Sequence, residues 1–441
     1  MTDAIPPGVV DELHPALTAA DAVLEASRCL ECGGPEAEAP CVTACPADVD
    51  IPTFLGALAR GQADAAAATV FDQNLLSGTC GRVCPVEVLC EAVCVLEHEG
   101  RRPVEIGRLH RYAGEWGLER RTTWRRVAPP QPGRVAVLGA GPAGLVCAGE
   151  LALRGYSVTV YDARREPGGL VRYAIAPYRQ MSDPLGAEAQ MLTELGIELR
   201  LGASIDSQHA LRRLEADADA IVLAVGMGPD TEVDYPGNNL PGVWSSLRFI
   251  DEVKAGRLAE IGRHVIVIGG GNTAVDAARI AVRLGAASVS IVYRRSEAEM
   301  PAYAHEVAEA RAEGVHIEWL TEPVRFVGDK RLTAVQCRRT RLRRQDPGSR
   351  PRPEPLEGTE FLLSADTAIK AIGQQPRLDL LGWVDGLQLR DGMPVVDPET
   401  GQTANPKYYA GGDVLNGGAT VVEAVRWGKL IARGIAAALE S

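Results

Sequence analysis

Eight of the ten cysteines in this 441-residue chain fall in its N-terminal quarter: Cys29, Cys32, Cys41, Cys45, Cys80, Cys84, Cys90 and Cys94. They read C-x2-C-x8-C-x3-C-P and then C-x3-C-P-x4-C-x3-C. Thiols at this density either form disulfides or hold metal, and the compartment separates the two. The start, MTDAIPPGVVDELHP, has no basic stretch followed by an apolar one. It therefore reads as no secretion signal, and the chain is expected to be cytoplasmic, where stable disulfides are rare. Metal is the chemistry that remains, as a zinc scaffold or as iron–sulfur clusters. The other two cysteines, Cys147 and Cys337, stand far from this block and read as ordinary buried thiols.

Composition narrows the class. The length suits about three domains, and 47 glycines with 46% hydrophobic residues suit an α/β protein rich in tight turns. No apolar stretch reaches the roughly 18 residues that a membrane span needs. The net charge of −12 argues against nucleic acid, whose phosphates demand clustered positive charge. One arginine-rich stretch, Arg338 to Pro355, reads as a solvated hairpin with a Pro/Gly tip.

The elements around the cysteines look helical from Glu12 to Trp116, with alanine and leucine at helical spacing in ADAVLEASRCL and IPTFLGALARGQADAAAATVF. A polar, Arg- and Pro-rich linker follows. At Arg134 the texture changes to a short apolar strand, RVAVL, then Gly139-Ala140-Gly141-Pro142-Ala143-Gly144, a helix, and a strand ending in Asp162. This is the strand, G-x-G-x-x-G, helix, strand, acid order of a dinucleotide fold. The glycines allow the turn, the approach of a pyrophosphate and helix–strand packing, and the acid suits a free ribose. The pattern recurs as HVIVI, Gly269-Gly270-Gly271-Asn272-Thr273-Ala274, a helix, and a strand ending in Tyr293-Arg294-Arg295. Here the acid is missing. Arg294 and Arg295 suit a 2′-phosphate, so the second site is expected to take NADP(H) and the first a flavin nucleotide. A redox nucleotide pair beside the Cys-Pro motifs favours iron–sulfur over zinc.

Read together, CLEC, CVTACP, CGRVCP, CEAVC, IGRLHRY, GAGPAGL, Gly168-Gly169-Leu170, GGGNTAVDAAR, YRRSEAEMPA, AIGQ and Gly411-Gly412-Asp413 span almost the whole chain. In this order they resemble the small, flavin-containing subunit of bacterial glutamate synthase and the flavin part of dihydropyrimidine dehydrogenase. The resemblance implies an α/β flavoprotein with two dinucleotide-binding domains, Rossmann-like for FAD and for NADP, preceded by an all-α iron–sulfur domain. It places the helical [4Fe-4S] domain at 1–121, a linker at 122–133, the FAD-binding domain at 134–243 and 364–441, and an NAD(P)H-binding domain at 244–363. The apolar strand ADTAIKAIG is expected to help complete the FAD site. Gly169, Leu170, Gly412 and Asp413 would touch FAD, and a helix beginning near Thr420 and Val421 would aim its N–H groups at the flavin.

The resemblance also implies the cluster ligands. Carried over from dihydropyrimidine dehydrogenases, Cys29, Cys32, Cys41 and Cys94 hold one cluster, and Cys45, Cys84 and Cys90 give three thiolates to a second. The fourth ligand of those relatives is a glutamine at the position of His110, so His110 is the expected ligand here, with Cys80 as the alternative. Imidazole can replace thiolate at an iron–sulfur centre and raises its potential. Two departures stand out. An extra loop, GGPEAEAP, lies between Cys32 and Cys41, and YAIAPYRQ replaces the more usual Y-G-I-P pattern. The expected activity is oxidation of NADPH, with electrons passing by FAD and two [4Fe-4S] clusters to a separate catalytic subunit, either pyrimidine-reducing or a glutamate synthase large subunit. The alternative is a stand-alone NAD(P)H oxidoreductase serving a ferredoxin-type acceptor. A thioredoxin-reductase-like activity wants a C-x-x-C in the nucleotide domains, and none is present. His305 and Glu306, after MPAYA, read as helix-surface residues.

Overall fold

The computed structural model describes residues 7–34, 38–120, 125–180, 184–344 and 350–440. Part of the GGPEAEAP loop, the first residues of the linker and the tip of the arginine-rich hairpin lie outside these. The chain forms two compact units. One comprises Leu13–Arg172, Ser182–Gly228 and Pro376–Ser441; the other comprises Met1–Glu12, Tyr173–Met181 and Pro229–Gln375.

The first unit joins the helical segment to a parallel sheet. Its helices start where the sequence caps them: Thr18 accepts from the Asp21 N–H, and Asp50 accepts from the Thr53 N–H with Pro52 in the first turn. The helices Ser77–Val83 and Ile106–Arg120 cross closely because glycine meets backbone at the contact. A Cβ on Gly81 would stand 2.6 Å from the Arg111 nitrogen, and one on Gly114 3.0 Å from Gly78 Cα. Larger residues would hold these helices apart. The sheet runs Tyr408–Ala410, Ala220–Leu223, Arg134–Leu138, Ser157–Asp162, Glu198–Leu201, all parallel. Its central strands are buried apolar runs, as in sheets covered on both faces. The last helix, Val421–Glu440, packs on Pro142–Leu153, with Gly428 set where a Cβ would meet the Ala143 oxygen at 2.7 Å.

The second unit repeats the design. Its parallel sheet runs Val243–Ser245, Thr367–Lys370, His264–Ile268, Ser288–Tyr293, His316–Trp319. An antiparallel sheet follows, in which Leu332–Arg343 pairs with Thr321–Gly328, Arg352–Pro355 and Phe361–Ser364. One expectation is corrected here. Thr367–Lys370, the core of ADTAIKAIG, was assigned with 364–441 to the first nucleotide domain, but it lies in the second sheet between Val243–Ser245 and His264–Ile268. An apolar run of four residues suits the centre of either parallel sheet, so its composition could not choose between them.

Candidate functional site

The eight N-terminal cysteines divide between two cavities of the first unit. One is lined by Cys29, Cys32, Cys41 and Cys94 with Leu30, Pro40, Leu55 and Ile106. The other is lined by Cys45, Cys80, Cys84, Cys90 and His110. The close crossing of Ser77–Val83 with Ile106–Arg120 brings His110 to Cys80 and Cys84. Burial pushes Cys29 and Cys41 up, Cys41 to about 12, and neighbouring thiols add to it. Cys45, Cys84 and Cys90 are also raised; hydrogen bonding of the protonated Cys84 thiol to Cys80 leads for Cys84 and burial for the other two. Holding such groups as thiolates requires positive charge among them, which metal supplies. His110 fits as a donor to the same charge. Its Nε2 is buried with no hydrogen-bond partner, and burial lowers its pKa to about 4, leaving a neutral imidazole with a free lone pair. Among the described residues no three His, Cys, Asp or Glu side chains converge in the way a single ion requires. The thiols line the walls of the two cavities instead.

The two glycine-rich turns are built alike. Gly139 has φ 110° and would place a Cβ 2.2 Å from the Ala224 oxygen; Gly269 has φ 142° and would meet the Ala371 oxygen at 2.1 Å. Gly144 would strike the Gly139 oxygen at 1.9 Å, so helix and turn touch there. The second turn carries Ala274 at that place, wholly buried. By contrast a Cβ on Gly141 would come no nearer than 3.9 Å to anything, and Gly271 has nothing within 4 Å. These are the faces left open for a phosphate. The helices that follow, Pro142–Leu153 and Asn272–Arg283, have no side-chain cap, unlike those begun by Thr18, Asp50 and Ser207. Their first N–H groups, of Ala143 and Gly144 in one helix and of Asn272 and Thr273 in the other, stay available to an anion, whereas Leu145 and Ala274 already donate to the Gly141 and Gly271 oxygens.

Around the first turn the sequence-read residues gather. Asp162 accepts from the Ala140 N–H at 2.7 Å and, through its other oxygen, from the Arg164 N–H at 2.7 Å. It braces the turn. Gly168 donates to the Ala140 oxygen at 2.7 Å, which lays Gly169 beside Gly141, with Leu170 opening the short helix that follows. Gly412, at φ 79°, lies against Ala143. Asp413, raised by burial, accepts from the Ala419 N–H at 3.1 Å. Thr420 caps the final helix by accepting from the Glu423 N–H at 3.2 Å. Val422, one residue into that helix after Val421, lines the cavity of Cys45 and His110. The start of the final helix therefore touches the second cysteine cavity within one unit.

At the second turn Arg294 is exposed, and Arg295 is partly buried and donates from Nε to the Pro351 oxygen at 3.0 Å.

Residues 133–428 match the pyridine nucleotide-disulphide oxidoreductase family, and residues 8–122 match the dihydropyrimidine dehydrogenase domain II, 4Fe-4S cluster model. The chain is 35% identical to the small chain of NADPH glutamate synthase from Halomonas elongata, covering 96% of this chain and 92% of that one. It is 36% identical to the beta subunit of NADP(+)-dependent formate dehydrogenase from Moorella thermoacetica, over 91% of this chain but only 60% of that subunit's length. The chain belongs to the pyridine nucleotide-disulphide oxidoreductases of the glutamate synthase small-chain type. Among solved structures it is similar to FprA of Mycobacterium tuberculosis in complex with NADPH, with TM-score 0.59 and 18% identity over 70% of this chain and 86% of that one. It is also similar to the thioredoxin reductase of T. acidophilum, with TM-score 0.53 and 22% identity over 70% and 98%. These two share its fold. A family member of this kind is an NADPH-dependent flavin oxidoreductase, with FAD, NADP(H) and [4Fe-4S] clusters as its cofactors. Among the described residues no helix is long and apolar enough to cross a membrane.

The structure also holds features that sequence reading missed or misplaced. Glu306 is not a surface residue: it is buried, at 4% exposure, and pairs with Arg179 at 2.9 Å. Arg179 and Tyr178, from YAIAPYRQ, both bond to Asp276 on the second nucleotide helix, at 2.8 and 2.6 Å. This segment thus supplies a buried anchor within the second unit. Glu188, wholly buried, accepts from the Thr79 N–H at 3.0 Å and from its hydroxyl at 2.6 Å, just before Cys80. No motif marks such residues; only the packing of distant helices brings them together. Cys147 and Cys337 are fully buried, and burial pushes Cys337 up to about 12.

Proposed function

We propose that this chain is the electron-input subunit of a larger reductase. It oxidises NADPH and delivers electrons to a separate catalytic subunit of the glutamate synthase or dihydropyrimidine dehydrogenase kind. The observation that carries the reading is the shared wall at Val422: the helix that starts beside the flavin turn also lines the cavity of Cys45, Cys84, Cys90 and His110. With FAD and iron–sulfur clusters bound, the cofactors supply conversion of a two-electron donor into one-electron carriers.

The chain's own residues position that chemistry. Gly139, Gly141, Gly144 and the helix start at Pro142 and Ala143 receive the FAD pyrophosphate, while Asp162 stiffens the turn and takes the ribose. Gly169, Leu170, Gly412 and Asp413 flank it. The N–H groups after Thr420 and Val421 face the flavin edge and favour negative charge there. Gly269, Gly271, Asn272, Thr273 and Ala274 receive the NADPH pyrophosphate, with Arg294 and Arg295 on its 2′-phosphate. Cys29, Cys32, Cys41 and Cys94 would hold one cluster. Cys45, Cys84, Cys90 and the neutral imidazole of His110 would hold the other, with Cys80 left as a thiol beside Cys84. The relatives that are subunits of glutamate synthase and formate dehydrogenase support a partner as electron acceptor.

The test is anaerobic reduction of the purified protein by NADPH and by NADH, followed by absorbance and electron paramagnetic resonance, with His110→Ala alongside. NADPH is expected to bleach both flavin and iron–sulfur absorbance, and His110→Ala to alter one cluster signal and spare the other. Flavin bleaching without a cluster signal would refute the cysteine assignment. An unchanged pair of signals in His110→Ala would move the fourth ligand to Cys80.

A further inference from the structure

The arginine-rich stretch read from sequence as a solvated hairpin is tied to the second nucleotide site from both of its sides. Thr340 on the first strand donates its hydroxyl to the Arg294 oxygen at 2.9 Å. Its N–H donates to the Leu320 oxygen at 2.8 Å, and the Leu320 N–H donates to the Arg295 oxygen at 3.1 Å. Just before the returning strand Arg352–Pro355, the Pro351 oxygen accepts from Arg295 Nε at 3.0 Å. Next to it, Arg350 donates through Nη2 to the Tyr293 hydroxyl at 3.0 Å and to the Glu299 oxygen at 2.7 Å. The Tyr293 ring is the floor of the glycine-rich turn, since a Cβ on Gly270 would stand 2.5 Å from it. Arg350 is therefore anchored at the strand end where the acid of the first site stands in the sequence order.

We propose that Arg350 is a third arginine for the 2′-phosphate of NADPH, brought to Arg294 and Arg295 by the hairpin. The inference rests on the reading that NADPH binds at the Gly269–Ala274 turn. Each guanidinium keeps donors to spare among the described residues. Arg350 has Nε and Nη1 free of protein partners, Arg295 has both terminal nitrogens, and the Arg294 side chain has no hydrogen bond or ion pair among the described residues, its only bond being the one its backbone oxygen accepts from Thr340. The acids nearby are already engaged: Glu297 pairs with Arg311 at 2.8 Å, and Glu299 accepts from the Ser296 hydroxyl. They therefore repel a phosphate less than free carboxylates would. A dianionic phosphate has enough acceptor oxygens for several forked guanidinium bonds, and NADH offers only hydroxyls at the same place.

The test compares wild type with Arg294→Ala, Arg295→Ala, Arg350→Ala and Arg350→Lys, as holoproteins reducing ferricyanide with NADPH or NADH. Arg350→Ala is expected to raise KM for NADPH about tenfold, the loss of one bond to a charged group, while KM for NADH and both kcat values hold within about twofold. Arg350→Lys keeps the charge without the fork and is expected to recover part of the loss. An equal rise for both nucleotides would mean that Arg350 only supports the hairpin, and would overturn the inference. So would an unchanged Arg350→Ala alongside Arg294→Ala and Arg295→Ala variants that lose preference for NADPH. If none of the alanine variants alters the preference, the placing of NADPH at this turn falls together with the hairpin's role.

Discussion

Replacing Glu188 by glutamine changes one proton and almost nothing else, so its effect can be worked out. Glu188 sits wholly buried on the helix Leu185–Glu194 and grips the Thr79 N–H and hydroxyl, beside Cys80. Burial raises its pKa to about 7 from 4.5, with the Thr79 bonds and the nearby Arg82 charge pulling the other way. The folded protein thus holds the proton up to about pH 7, and the unfolded chain releases it near 4.5. Between these values the folded state binds more protons, so stability falls as pH rises. The contribution is full below 4.5 and lost above 7. A gap of roughly 2.5 units is an upper bound of about 3 kcal/mol, and relaxation of the site brings it to about 2 kcal/mol. Glutamine can still accept from the Thr79 N–H but does not titrate. Thermal melts of the holoprotein and Glu188→Gln from pH 5 to 8 are expected to converge at the acid end, apart from a constant offset. Moving to pH 7.5 is expected to change the difference by about 2 °C in favour of the variant. Parallel curves would refute the burial argument, because they would show that this carboxyl titrates as it does in the unfolded chain.

Two further outcomes follow from contacts already described. Gly144→Ala puts a methyl 1.9 Å from the Gly139 oxygen, so the turn must open. The variant is expected to purify with most of its flavin absorbance lost and its iron retained, and full flavin occupancy would count against the close contact. Asp276→Ala strips Tyr178 and one side of Arg179 of their buried partner while Glu306 remains. It is expected to cost about 3 kcal/mol, read as a lower urea midpoint at unchanged slope. A change under about 1 kcal/mol would show that water takes over the Arg179 charge.

Much of the chemistry could be read locally. A glycine-rich turn is a contiguous device: its glycines, its helix start and its strands are neighbours in the chain, so Gly139, Gly144, Gly269 and Ala274 stand where the pattern put them. Cys29, Cys32, Cys41 and Cys94 line one cavity and Cys45, Cys80, Cys84, Cys90 and His110 the other, and the expected grouping came from resemblance rather than spacing. Spacing alone leaves open which thiols share a wall, because Cys94 crosses from the second run to the first group. Glu306 was misread because helix periodicity around MPAYAHEVAEA is weak, and charge suggested a solvated face.

The sequence by itself determined the elements and their local purposes: two strand–turn–helix units with opposite ribose signals, helices with their own caps, and a set of thiols suited to iron. Each of these depends on residues within about one element of each other, where propensity and steric rules act. Only the tertiary structure decided which sheet receives Thr367–Lys370, which thiols share a cavity with the unpartnered His110 nitrogen, and where the arginine hairpin lands. It also decided that Glu188 reaches the cysteine helix and that Glu306 meets Arg179. The reason is physical. Those outcomes rest on contacts between residues tens to hundreds of positions apart, and the free energy that selects among them comes from packing and burial of the whole unit, which no short stretch of chain contains.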